Sequence, residues 1–127
     1  MDKKEAIDYW ITQSERDIKT ASDLFNTSHY DWSLFMWHLA IEKILKACII
    51  SQNKQPLYIH DLYRLAKEAT IELNPEIIAE LNEITSYNIE ARYDNIKLAF
   101  YKRATKEYTT KWTIICKTIY SHIKEKI

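Results

Sequence analysis

At 127 residues the chain has the size of one domain, enough to bury a continuous core without disulfide or metal support. Apolar residues make up 46%, charged residues 28%, and glycine is absent, so the left-handed backbone positions that hairpin turns favour would fall to costlier residues. An all-α protein is therefore expected, and no run approaches the ~18 apolar residues of a membrane span. Eighteen basic and eighteen acidic side chains cancel, but unevenly: residues 1–90 carry nine against fifteen, and residues 91–127 carry nine against three. A basic edge beside an acidic remainder suits an anion, or an oppositely charged helix or subunit.

The N-terminus "MDKKEAIDYW" enters an amphipathic pattern directly, with no apolar signal core. Ile7, Trp10, Ile11, Ser14, Ile18, Ala21 and Phe25 recur at steps of three and four, which predicts a helix over about 4–27. A second is predicted from Asp31 to Ser51, with Asp31 or Ser33 as its cap. It is apolar around most of its circumference: Leu34, Trp37, Ile41, Ile44, Leu45 and Cys48 can fill one core, but Phe35, Met36, Leu39, Ile49 and Ile50 cannot all join them. This helix is thus either central or part of a subunit interface, with Phe35, Met36, Leu39 and Ile50 as candidates for a dimer face.

"QNKQPLYIH" reads as a loop in which Pro56 ends any helical continuation, and Leu62, Leu65, Ala66 and Ala69 fit a short helix over 60–69. Asn74 as cap, Pro75 at the first position and Glu76 in the first turn start another, predicted to reach Ser86. After "YNIEARYDN" one long last helix is predicted, with Tyr101, Ala104, Tyr108, Trp112, Ile115, Ile119 and Ile123 inward. The sum is an up-and-down bundle of four to five helices. Cys48 and Cys116 fall in apolar helical stretches and are expected to be buried thiols in a reducing cytosol.

Motifs of catalysis are scarce. No Glu-x-x-His pair is present, and His29, His38, His60 and His122 are dispersed, so no metal site is expected and no cofactor is implied. A phosphate loop is excluded because it needs glycine. Three polar clusters remain. His38, Glu42 and Lys46 share one helical stripe, where Glu42 and Lys46 either form a solvent-facing pair or belong to a site. His60 and Asp61 precede the short helix, which Asp61 can cap. Arg92, Tyr93 and Asp94 occupy the link before the last helix. Arg92 can pair with Asp94 or a neighbouring carboxylate while Tyr93 plugs the core's end; alternatively, Arg92 reaches toward Lys46, Glu42 and His38, the two cations flank an anion and Tyr93 stacks on a base. Lys97, Lys102, Arg103 and Lys106 would extend the second surface.

The order and spacing of "HLAIEKILKACI", "IHDLYRLAKEA" and "EARYDN" resemble those of the HEPN family. The family's Ala-x-Glu-Lys-x-Leu-Lys-Ala falls on Ala40, Glu42, Lys43, Leu45, Lys46 and Ala47, its His-Asp-Leu on His60, Asp61 and Leu62, and its Arg-Tyr-Pro-Asp turn on Arg92, Tyr93, Asp94 and Asn95, without the proline. The resemblance implies a helical bundle, commonly a homodimer, often encoded beside a small nucleotidyltransferase. It also implies nucleotide or RNA binding, and in many members metal-independent ribonuclease activity, several of these being toxins of toxin-antitoxin pairs. The ribonucleases carry Arg, four to six residues, then His; here the eligible positions are Lys97, Leu98 and Ala99. The expectation is a nucleotide-, RNA- or nucleotidyltransferase-binding protein without the standard nuclease pair. The alternatives are a ribonuclease with His38 or His60 as substitute base, and a purely protein-binding subunit.

Overall fold

A computed structural model describes residues 1–127. They form six helices and no strand: α1 (Lys3–Asn26), α2 (Tyr30–Ser51), α3 (Leu62–Glu68), α4 (Pro75–Glu90), α5 (Asp94–Arg103) and α6 (Lys106–Lys124). Between the two readings of α2, the central one holds. It packs against all five other helices, and Leu34, Ile41, Ile44, Leu45 and Ile49 are fully buried in one continuous core. Phe35, Met36, Leu39 and Ile50 remain half-buried at its edge. No helix is long and apolar enough to cross a membrane.

Side-chain caps start four of the helices: Asp2, Asp61, Asn74 and Thr105 each accept from the amide three residues on, satisfying donors that a helix start leaves open. The expected cap of α2 differs. His29 holds the cap position with no side-chain bond, Asp31 lies in the first turn, and the Ser33 hydroxyl is drawn away to the Ala21 carbonyl at 2.8 Å. At their C-termini, α1, α2 and α3 end with Ser28, Asn53 and Thr70 at φ 62°, 63° and 53°. In each case the next amide bonds back five residues, as in His29 to Leu24, the Schellman closure that glycine ordinarily supplies. The chain therefore carries left-handed strain at three non-glycine residues.

Two boundaries depart from expectation. α4 runs to Glu90, past Ser86, and α3 starts only after Asp61. The long last helix is two helices: Ala104 leaves helical geometry at φ −78°, ψ 64°, and the Thr105 hydroxyl caps a new start by accepting from Tyr108 N at 3.2 Å. Tyr101 consequently points outward, 61% exposed, instead of into the core. Cys48 and Cys116 are free and buried.

Candidate functional site

The stripe His38, Glu42, Lys46 is not solvent-facing; all three side chains are buried. Lys46 Nζ donates to Glu42 Oε2 at 3.3 Å and lies over the Trp10 ring of α1. Beside them, Lys43 meets Asp17 of α1 at 2.6 Å. The other oxygen of Glu42 accepts from His60 Nδ1 at 2.7 Å. His60 is held there because the residues after it are pinned. Asp61 caps α3 through the Arg64 amide, and the Leu62 amide donates to Thr85 Oγ1 of α4. Its imidazole nonetheless stays 63% exposed, with no protein partner on Nε2.

His38 links this pair to α4. Its Nε2–H donates to the His60 carbonyl at 2.9 Å, and its Nδ1 accepts from Asn88 Nδ2 at 3.4 Å. Burial lowers its pKa, against the opposing pull of the His60 carbonyl and Glu42, so the ring is neutral with one tautomer selected by its neighbours. Asn88 in turn orients Arg92: Nη2 donates to Asn88 Oδ1 at 2.6 Å, and Nε donates to the Asn88 carbonyl at 2.8 Å. That carbonyl is one of those a helix C-terminus leaves without an internal partner. The guanidinium also rests over the Phe35 ring of α2, 5.9 Å from its centroid.

Six residues thus form one hydrogen-bonded string, Lys46, Glu42, His60, His38, Asn88 and Arg92, joined through side chains except at the His60 backbone carbonyl. Lys46 and Arg92 stand at its two ends, with four polar residues linking them; the principal cavities are lined by other residues. Asp94 does not pair with Arg92. It starts α5, where its charge faces the helix's positive end. Tyr93 caps the same helix by position and is 55% exposed, so it does not plug the core. Asn88 was not foreseen. Its signal is positional, a polar residue on the buried stripe of Leu81 and Ile84.

The basic surface beyond Arg92 divides. Lys97 lies over Trp32, and Lys102 and Lys106 are exposed. Arg103 is withdrawn from it, meeting Glu90 at 2.7 Å and Glu83 at 3.5 Å and packing over Phe100 and Tyr108. Burial works against its charge, but Tyr108, Glu83 and Glu90 outweigh it and raise its pKa. Tyr108 donates to Glu83, and the Tyr87 hydroxyl lies 2.7 Å from that of Tyr108. Burial raises both phenols well above their ordinary range.

A family model describing the HEPN domain matches residues 7–126. The chain belongs to the HEPN family. The crystal structure of TT1696 from Thermus thermophilus has a similar fold, with TM-score 0.82 at 16% identity over 95% of this chain and 98% of that one. No curated protein matches the sequence. Within its HEPN frame, Arg92 stands at the α4–α5 link, and the positions five to seven residues after it are Lys97, Leu98 and Ala99. The structure also separates the two substitute histidines. His38 is fully buried with both ring nitrogens engaged, whereas His60 is exposed with one nitrogen open. No three His, Cys, Asp or Glu side chains gather in a metal-binding arrangement.

Proposed function

We propose that this HEPN protein binds the phosphate of a nucleotide or RNA at the α4–α5 edge through Arg92, without the family's Arg-then-His pair. The observation that carries the reading is the company Arg92 keeps. It is fixed by two bonds to Asn88, a neutral residue, and no carboxylate lies within ion-pair distance. An oriented guanidinium with its charge uncompensated is suited to a phosphate, whose oxygens match the planar fork. Tyr93, exposed at the next position, offers a ring for a base, and Lys97 and Lys102 add positive charge along α5.

The test is titration of the purified chain with a short single-stranded oligoribonucleotide and with nucleoside phosphates, followed by fluorescence anisotropy and thermal shift. Binding that weakens with salt and falls at least about tenfold in Arg92→Ala supports the reading. Absence of binding to every one of these ligands overturns it.

A second reading rests on a separate observation. Ile89, Tyr93, Leu98 and Tyr101 are each more than half exposed within thirteen residues of the same edge, an apolar concentration that suits a protein partner, either a second copy or a nucleotidyltransferase. Light scattering of the wild type and of Leu98→Lys/Tyr101→Lys distinguishes self-association; an unchanged dimer would remove this edge from the interface and return attention to Phe35, Met36, Leu39 and Ile50.

A further inference from the structure

We infer that the cleft between the α1–α2 and α5–α6 junctions is a base pocket, and that it selects guanine from the RNA or nucleotide whose phosphate Arg92 binds. The inference rests on the phosphate-binding reading and deepens it by naming the base. The cleft has a volume of about 330 Å³ and is lined by Ser28, Tyr30, Asp31, Tyr101, Lys102 and Thr105, which places it at the small end of ligand sites. Asp31 is the unusual member. It is only 6% exposed, yet it pairs with no cation of the chain and its oxygens accept no hydrogen bond, the hydroxyls of Tyr30 and Ser33 beside it being directed elsewhere. Those oxygens are not sealed in the core either, since the fully enclosed unbonded atoms belong to Asp17, Thr109 and Thr113. A place in the first turn of α2 suits an acid but gives its oxygens no donor, and buried acceptors are ordinarily satisfied. The missing donors therefore come from outside the chain.

The chemistry of the lining names the guest. Guanine alone among the four bases presents two adjacent donors, N1–H and N2–H, on its Watson–Crick edge, with the O6 acceptor beside them. Asp31 supplies two acceptors for these donors, and Lys102 a donor for O6. The Thr105 hydroxyl, whose oxygen accepts from Tyr108 N, keeps its proton for the same task. Adenine and cytosine would set a ring-nitrogen acceptor against Asp31, and uracil a carbonyl, so that acceptors face each other. Two aromatic rings line the cleft. Tyr30 is held edge-on against Phe25, with centroids 5.3 Å apart, and Tyr101 is 61% exposed, a surface on which a base stacks. The approach from Arg92 is continuous. Tyr93, Lys97 and Tyr101 recur at steps of four along α5 and so share one face, which rises about 12 Å; Lys97 lies over Trp32, the residue after Asp31. A strand anchored at Arg92 thus passes a cation and two exposed rings on its way to the cleft.

The experiment titrates the full chain against fluorescein-labelled oligouridylate carrying one central guanosine, adenosine, cytidine or inosine, or none, with anisotropy as the readout. The guanosine oligomer is expected to bind about tenfold or more tightly than those with adenosine, cytidine or uridine, and inosine, which lacks the 2-amino group, to fall between. Asp31→Asn replaces one acceptor by a donor; it should erase the preference while binding to plain oligouridylate and the thermal midpoint stay as in wild type. Tyr101→Ala, at an exposed position, should weaken binding and keep the order of the bases. Equal binding of all the oligomers by wild type, a result independent of how any variant folds, overturns the inference and leaves the phosphate-binding reading standing, as does an Asp31→Asn protein that still prefers guanosine. Asp31-dependent binding of a capped arginine peptide, with the oligomers bound alike, overturns it in favour of a protein side chain in the cleft. Failure of wild type to bind any oligomer or guanosine monophosphate defeats the earlier reading, and this one with it.

Discussion

α4 carries a polar cluster on each of two sides, and each contains an arginine. Toward α6, Arg103 meets two carboxylates, Tyr108 bonds Glu83, and Tyr87 bonds Tyr108; every charge is answered inside the chain. Toward α2, Arg92 is held by an asparagine and a phenylalanine ring, and His60 keeps a free ring nitrogen. Residue composition hardly distinguishes the two. What differs is closure: a cluster that satisfies itself contributes to the fold, while one left with an oriented cation and an open base is equipped for something outside the chain.

The largest expected effect lies in the closed cluster. Tyr87 is fully buried and stacks on Phe100 with ring centroids 5.4 Å apart. Tyr87→Ala removes that ring and the hydroxyl bond together, at a cost of about 3–5 kcal/mol, measured as a fall in the urea midpoint. A loss below about 1 kcal/mol would mean that the α4–α6 junction is not the rigid side. Next come the two arginines as a reciprocal pair. Arg92→Ala should lower RNA or nucleotide affinity at least tenfold, about 1.4 kcal/mol, and change stability by less than about 1 kcal/mol. Arg103→Ala should do the converse, costing about 1 kcal/mol of stability with affinity unchanged. If the two variants behave alike in both measurements, the contrast between open and closed clusters fails.

A third test uses protons. Burial lowers the folded pKa of His38 below its ordinary 6.5, so just below that pH the unfolded chain binds more protons than the folded one, and acid favours unfolding. Stability should be fully present above pH 6.5 and decline as the pH falls through and below it, with Glu42, His60 and Arg92 as the charged or titratable groups facing the ring. His38→Gln should flatten that slope in urea titrations between pH 5 and pH 8; an identical slope would place its origin elsewhere. The closed cluster contributes nothing here, because its phenols, raised by burial, stay neutral throughout.

Four helix positions and the family were legible in the sequence because caps and the three- and four-residue apolar steps are local signals. The break at Ala104–Thr105 was not, because Ala104 and Tyr108 keep the inward spacing across it, and the evidence against continuity was the modest one of Thr105 followed by Glu107, a capping residue and a first-turn acid. In the candidate site, the stripe His38, Glu42, Lys46 and the pair His60, Asp61 were visible as separate clusters. His60 joins these two clusters directly through Glu42 and His38, and Arg92 enters the string only through Asn88, fifty positions from His38. No periodicity reports such a contact; only the intrusion of an amide into the buried stripe of α4 hinted at it. The solvent-facing reading of Glu42 and Lys46 failed for a related reason: burial of α2 on all sides is a tertiary fact, and helical spacing says which residues share a face without saying what covers it.

The smallest effect is the most direct test of closure. Asn88→Asp keeps an oxygen where Arg92 donates and preserves side-chain volume, but gives the guanidinium an anionic partner of its own. Such a partly exposed pair is worth up to about 1 kcal/mol, so phosphate binding should weaken by about fivefold or less. The same change removes the amide that donates to His38 Nδ1 and sets a carboxylate there, which favours a protonated ring and shifts its titration upward. Both consequences close the cluster from within, giving Arg92 an answer like the one Glu90 gives Arg103. If Asn88→Asp binds RNA as tightly as wild type at low salt, an uncompensated charge at position 92 is not what attracts the phosphate.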